Sequence, residues 1–160
     1  MSVFISFIHE EERVATEVQA LLREKLNNEF RVFLSADRWQ MRAGQVWLDR
    51  IRAELTEARV IVSLLSPRSI ARPWVNFEAG AAWLADKPII PACFGGLEVA
   101  NLPKPYADFQ ALDLIQHHYE LVRDALHWLT AGQGRIAPVP WPRDDPAVRR
   151  LHEELDRLPH

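Results

Sequence analysis

Cysteine is nearly absent: the 160 residues include one, Cys93. A single thiol excludes an internal disulfide framework and any zinc site built from several cysteines. Glycine is sparse as well, with six in all. None falls in a G-x-G-x-x-G or G-x-x-x-x-G-K-S/T pattern, so neither glycine-rich phosphate cradle is available. No apolar run approaches the roughly 18 residues of a membrane-spanning helix. The opening Met1-Ser2-Val3-Phe4-Ile5 lacks the basic start and small-residue cleavage site of a secretory signal. The excess of one charge sign is slight, with a net charge of −3 and a pI near 6.1, which argues against a dedicated nucleic-acid binder. The expectation is a soluble cytoplasmic chain with no membrane and no direct nucleic-acid partner.

What is present is enough for one ordinary domain plus a short appendage: 48% hydrophobic and 26% charged residues can bury a real core. Charge is unevenly spread: residues 1–30 carry net −3, 31–72 net +4 and 73–160 net −4. A basic centre between acidic flanks attracts an anion or a neighbouring copy of the same chain, unless it is plain surface scatter.

Strand-like and helix-like patterns alternate five times. Val3-Phe4-Ile5-Ser6-Phe7 is an apolar run, and Val14, Val18, Leu21, Leu22 and Leu26 follow at helical spacing. A second strand covers Phe30 to Leu34, and a polar, arginine-bearing loop runs from Ser35 to Gln45. A helix then carries Trp47, Leu48, Ile51, Leu55 and Ala58 on one face. Arg59 to Leu65 reads as the buried centre of a parallel sheet. Pro73 opens a third helix that runs to about Ala85. Pro88 to Phe94 is a strand whose prolines suggest a place near the sheet edge. Phe109 to Leu114 is a weaker strand, and Tyr119 to Ala131 a helix. Prolines 138, 140, 142 and 146 make a stiff connector to a last amphipathic segment with Val148, Leu151, Leu155 and Leu158. That segment either docks on the domain or meets a partner. This alternation calls for a parallel sheet covered by helices on both faces. Its ligand site is expected at the carboxyl ends of the strands, in the loops Ile8–Glu11, Ser35–Gln45, Ser66–Arg72 and Gly95–Pro105.

Few residues there carry chemistry. The central strand ends in Ser66, where a phospho-acceptor receiver domain needs an aspartate. No serine lies in G-x-S-x-G, and no metal-ligand spacing appears. Cys93 reads as a small core residue. His117 and His118 read as a solvated helix start, with His9, His127 and His152 unremarkable. The informative element is the third helix, whose apolar stripe is read as Trp74, Phe77, Ala81, Ala82 and Ala85. Glu78 falls on the same face, four residues after Trp74. A carboxylate there is costly unless it is paired, protonated or facing a cavity. It is therefore either a functional acid or half of an ion pair with an arginine such as Arg42 or Arg72.

One carboxylate is enough for a reaction whose leaving group departs as a neutral base, such as nicotinamide leaving a pyridinium riboside. It can stabilise the oxocarbenium-like centre or hold the ribose hydroxyls. Such a site needs aromatic walls, which Phe7, Trp39, Trp47 and Trp74 can supply. It also needs cations for a pyrophosphate, for which Arg38, Arg42, Arg68 and Arg72 are at hand.

Taken in order, Val3-Phe4-Ile5-Ser6-Phe7, Ala43-Gly44-Gln45-Val46-Trp47, Leu64-Leu65-Ser66-Pro67 and Trp74-Val75-Asn76-Phe77-Glu78 resemble the successive motifs of a bacterial TIR domain. The last matches the W-x-x-x-E arrangement of its NAD-cleaving members. Pro88-Ile89-Ile90-Pro91 and Leu102-Pro103 resemble the fourth strand and the loop after it. The resemblance spans about residues 1–131 and leaves 132–160 as a Pro-rich connector and C-terminal helix. It implies a flavodoxin-like α/β three-layer sandwich with a five-stranded parallel sheet. It further implies that Glu78 is the catalytic glutamate of an NAD glycohydrolase or cyclase, with NAD as substrate rather than cofactor. Phe7, Ile8, Arg38, Trp39, Arg42, Gly44, Trp47, Ser66 and Trp74 are the expected substrate contacts. The Ser35–Gln45 loop corresponds to the loop through which the family makes homo-oligomers. Bacterial members often act in anti-phage defence beside a sensor or effector protein. Two rivals remain: a non-catalytic scaffold assembling through the same loop, and a nucleoside deoxyribosyltransferase-like enzyme that also uses a glutamate at a ribose carbon.

Overall fold

The computed structural model of the protein describes residues 1–36, 45–130, 141–142 and 144–158. In chain order the elements are β1 (Ser2–Phe7), α1 (Glu12–Lys25), β2 (Arg31–Ala36), α2 (Gln45–Glu57), β3 (Ala58–Leu65), α3 (Pro73–Leu84), β4 (Ile89–Cys93), β5 (Leu112–Asp113), α4 (His118–Thr130) and α5 (Pro146–Asp156). The five strands form one sheet in the order β2-β1-β3-β4-β5, and every pairing is parallel. This is the expected flavodoxin-like arrangement. Its direction of winding reverses between β1 and β3, which is where such sheets open a crevice at their carboxyl ends.

Both faces of the sheet are covered, so the central strands are buried along nearly their whole length. Strand alternation sorts their side chains into two cores. Val3, Ile5 and Phe7 of β1, with Val60, Val62 and Leu64 of β3, face α1 and α4. Phe4 and Ile8, with Ile61 and Leu65, face the other way, onto Ile51 of α2 and Val75, Ala79 and Ala82 of α3. α1 ends where Asn27 and Asn28 take φ of 53° and 55°, a left-handed conformation that asparagine tolerates better than most residues.

β4 is the second strand from the sheet edge, in keeping with its prolines, and two other expectations shift. The fifth strand is cut to two residues. β5 pairs only with Ala92 and Cys93, so Pro91 with its missing N–H stays clear of that ladder. Residues 106–108 form a short 3-10 turn instead of leading into a longer strand. On α3 the buried stripe is Val75, Glu78, Ala79 and Ala82, whereas Phe77, Trp83 and Leu84 are exposed. The helix is so uniformly apolar that periodicity could not orient it, and the sheet decides which side turns inward.

The C-terminal segment docks on the domain. Ala147, Leu151 and Leu155 of α5 join the core that α1 covers. Asp145 caps α5 by accepting the amides of Ala147 (2.9 Å) and Val148 (3.3 Å), and its other oxygen binds the Lys25 ammonium of α1. Both side chains are almost fully buried. Trp141 packs against His118 and Tyr119, with Lys25 over its ring. His118, the first residue of α4, is half-buried and also meets His152 at 5.5 Å, so this helix start takes part in the α4–α5 contact. No helix among the described residues is long and apolar enough to cross a membrane.

Candidate functional site

The site is built from one helix and three strands. Parallel register sets Ser6 of β1 opposite Ser35 of β2 on one side and Ser63 of β3 on the other. Neighbouring strands lie about 4.8 Å apart, and partnered residues point to the same face. The three serines therefore form a row beneath α3, in the core otherwise made of Phe4, Ile61, Val75 and Ala79. Each is buried. Glu78 comes down from α3 onto this row. Its Oε2 accepts a hydrogen bond from the Ser6 hydroxyl and its Oε1 one from the Ser35 hydroxyl. The carboxyl group is fully buried, with 0% exposure. Ser63 Oγ has no hydrogen-bond partner among the described residues. The row stands one residue before the ends of β1 and β2, at the carboxyl edge and beside the switch point.

Around Glu78 the packing is apolar and aromatic. Tyr106 is buried, and its hydroxyl donates to the Val75 carbonyl at 3.1 Å. Burial, then the nearby Glu78 charge, raises the Tyr106 pKa well above the usual phenol range. Trp74 is half-buried and stacks on Phe77 with ring centroids 5.5 Å apart.

A second carboxylate sits at the same edge. Glu11, just before α1, is 5% exposed. Its Oε1 accepts from the Ser66 hydroxyl, and its Oε2 has no hydrogen-bond partner among the described residues. Ser66 Oγ in turn accepts the amides of Arg68 (3.1 Å) and Ser69 (3.0 Å). Burial pushes the Glu11 carboxyl up from 4.5 to about 6, against the pull of Ser66 and Arg68. A raised carboxyl means that the folded chain holds this proton more tightly than the unfolded one. Its stabilising effect is complete below pH 4.5 and is lost as pH rises through 6. Glu11→Gln keeps the acceptor for Ser66 without the buried charge. It should match the wild type in urea unfolding at pH 4 and exceed it by about 1–2 kcal/mol at pH 8. An equal difference at both pH values would contradict this account.

The residues expected from sequence are distributed as follows. Glu78 lies at the carboxyl edge of the sheet. Arg72, one of its two suggested partners, instead pairs with Glu10. Ile8 is fully buried on the Glu78 side of the sheet, in the core that α2 and α3 cover. Phe7 is buried in the opposite core, because adjacent strand residues point to opposite faces; it packs beneath α1 and α4 rather than beside Glu78. Ser66 is buried and engaged by Glu11 and Ser69. Arg38, Trp39, Arg42, Gly44 and the Trp47 side chain lie outside the described residues. Cys93 is buried and its thiol is pushed up to about 11, first by desolvation and then by Asp113, so it is no nucleophile at neutral pH. A cavity of about 570 Å³ lined by Trp83, Ile89, Phe109, His127 and Trp128 opens at the amino end of β4, around none of the expected site residues. Among the described residues no cluster of His, Cys, Asp or Glu could hold a metal ion.

Ser6, Ser35 and Glu11 were not singled out from sequence. A signal for the serines was there: Val-Phe-Ile-Ser, Val-Phe-Leu-Ser and Val-Ile-Val-Ser each place one hydroxyl after three apolar residues in a strand. Only the register shows that the three hydroxyls align.

A 2-1-3-4-5 parallel sheet with a buried acid at the carboxyl edge, beside its switch point, defines an α/β domain of the flavodoxin-like class. The TIR domain family model matches residues 3–127, and the chain belongs to that family. Its fold is also similar to two solved structures. One is the sugar isomerase domain of an RpiR transcription factor from Sphaerobacter thermophilus, at 12% identity and TM-score 0.44, covering 98% of this chain and 79% of that one. The other is the TIR domains of the activated Roq1 resistosome directly recognizing the pathogen effector XopQ, at 13% identity and TM-score 0.47, covering 98% of both chains. None of the curated proteins matches the chain.

Proposed function

We propose that this TIR domain cleaves the nicotinamide–ribose bond of NAD, with Glu78 as the catalytic group. The observation that carries the reading is an acid buried in the TIR core at the carboxyl edge of the sheet, aligned by two hydroxyls. Burying a carboxyl group is expensive, and functional sites are where such a cost is retained. In the reaction the C1′–N bond breaks and its electron pair leaves with nicotinamide, which departs neutral and needs no general acid. The ribose is left as an oxocarbenium-like centre that the Glu78 carboxylate stabilises. Water then adds at C1′ and loses a proton, giving ADP-ribose. Attack by a ring nitrogen of the adenine instead gives a cyclic isomer. Trp74 and Trp47 are the proposed aromatic walls, and Arg38 or Arg42 the proposed phosphate contacts.

Glu78 is closed off in the single chain, so turnover requires the site to open. Assembly of copies through the Ser35–Gln45 loop is the proposed trigger, with anti-phage defence beside a sensor or effector as the setting. The test is incubation with NAD at rising protein concentration, with products separated chromatographically. Nicotinamide release rising more steeply than linearly with protein is the expected result. The complete burial of Glu78 also favours a second reading, a non-catalytic scaffold. A chain that leaves NAD intact even when concentrated or crowded into assemblies decides for it.

A further inference from the structure

The register of the serine row assigns work to two residues beyond Glu78. We propose that Ser6 and Ser35 are positioning residues for the cleavage, each fixing one oxygen of Glu78; this rests on the NAD-cleaving reading above. Glu78 is the only acidic residue on α3, and it points into the layer formed by Phe4, Ile61, Val75 and Ala79. A carboxyl group in such a layer turns about its last torsions unless both oxygens are held. Ser6 Oγ holds Oε2 and Ser35 Oγ holds Oε1. The two donors stand on adjacent strands at one register, so each oxygen of Glu78 is held from the sheet. A hydroxyl in a buried strand costs desolvation unless it is hydrogen-bonded. The same register holds an internal control: Ser63 is equally buried in the same row, yet its hydroxyl has no hydrogen-bond partner among the described residues. The row is therefore not uniformly a structural hydrogen-bond seam, and only the two serines that reach Glu78 are assigned a role.

The experiment compares S6A, S35A, the double variant and S63A in the full chain. It measures nicotinamide release as kcat and KM separately, normalised to the folded fraction from thermal unfolding. S6A and S35A are each expected to lower kcat about 10- to 100-fold with KM within about twofold, because the loss is of alignment rather than of substrate contact. S6C, with a weaker donor in nearly the same volume, should fall between serine and alanine. S63A should keep the wild-type kcat. An independent readout is the Glu78 carboxyl infrared band, taken as the wild-type minus Glu78→Gln difference at fixed pH. It should shift in S6A and S35A and stay in place in S63A. Wild-type kcat in the folded double variant, with Glu78→Gln inert, overturns the positioning role and leaves the NAD-cleaving reading intact. An unshifted band does the same. A wild-type chain that never releases nicotinamide removes both.

Discussion

Glu78→Gln is expected to end nicotinamide release, with a loss of about 10³-fold or more, while the fold survives. The substitution keeps the shape of the side chain and one carbonyl acceptor for the serine row, and it removes the negative charge. Ser6 and Ser35 can each turn their hydroxyls to suit an amide. The unfolding free energy should therefore change by no more than about 1 kcal/mol. Glu78→Ala should be equally inactive but less stable, because it strands two buried hydroxyls that now have an acceptor at about 1–3 kcal/mol each. Comparing the two variants separates chemistry from packing. Chromatographic product analysis and a thermal melt on the same samples give both quantities. Undiminished turnover in a folded Glu78→Gln protein removes Glu78 as the catalytic group.

The largest expected effect on stability lies on the other side of the sheet, at Lys25. Burial disfavours its ammonium, but the hydrogen bonds and charges of Asp145 and Glu24 outweigh it and hold the Lys25 pKa above the usual range. Burial likewise opposes the Asp145 carboxylate, yet Lys25 and the amides of Val148 and Ala147 hold its pKa below the usual range. A raised lysine contributes stability that is present at neutral pH and fades as pH rises past the ordinary lysine range. A lowered aspartate contributes stability that fades as pH falls below the ordinary carboxyl range. The contact between α1 and α5 should thus be firmest near neutrality. Lys25→Met leaves Asp145 charged and buried without its partner, at a cost of about 3–5 kcal/mol. Lys25→Met with Asp145→Asn keeps an oxygen for the helix cap and leaves no lone charge, so it should recover most of that loss. Urea unfolding and hydrogen exchange along α5 measure both. A double variant as unstable as the single one would show that the charge imbalance is not the cause.

Much of the fold was legible from short patterns. Val3–Phe7 and Arg59–Leu65 are apolar almost throughout, which only a doubly covered parallel strand requires, and both are central strands. α1 announced itself by Val14, Val18, Leu21 and Leu22 against a charged outer face, and these four are buried. α3 has apolar residues all round, which leaves no polar face from which to infer the buried one. The place of Phe7 next to the carboxyl edge says nothing about which core it enters. Parity along the strand decides that, and Phe4, Ser6 and Ile8 take the Glu78 side.

The sequence by itself determined the alternation of elements, the TIR motifs and Glu78 as the acid to examine, because these depend on residue type and on spacing along the chain. It left open what holds Glu78 and where the last helix goes. Serines 29 and 28 residues apart become neighbours only through parallel pairing, and Lys25 finds Asp145 across a separation of 120 residues. Contacts of that kind are selected by the register of strands and the docking of helices, and no local pattern in the chain encodes them.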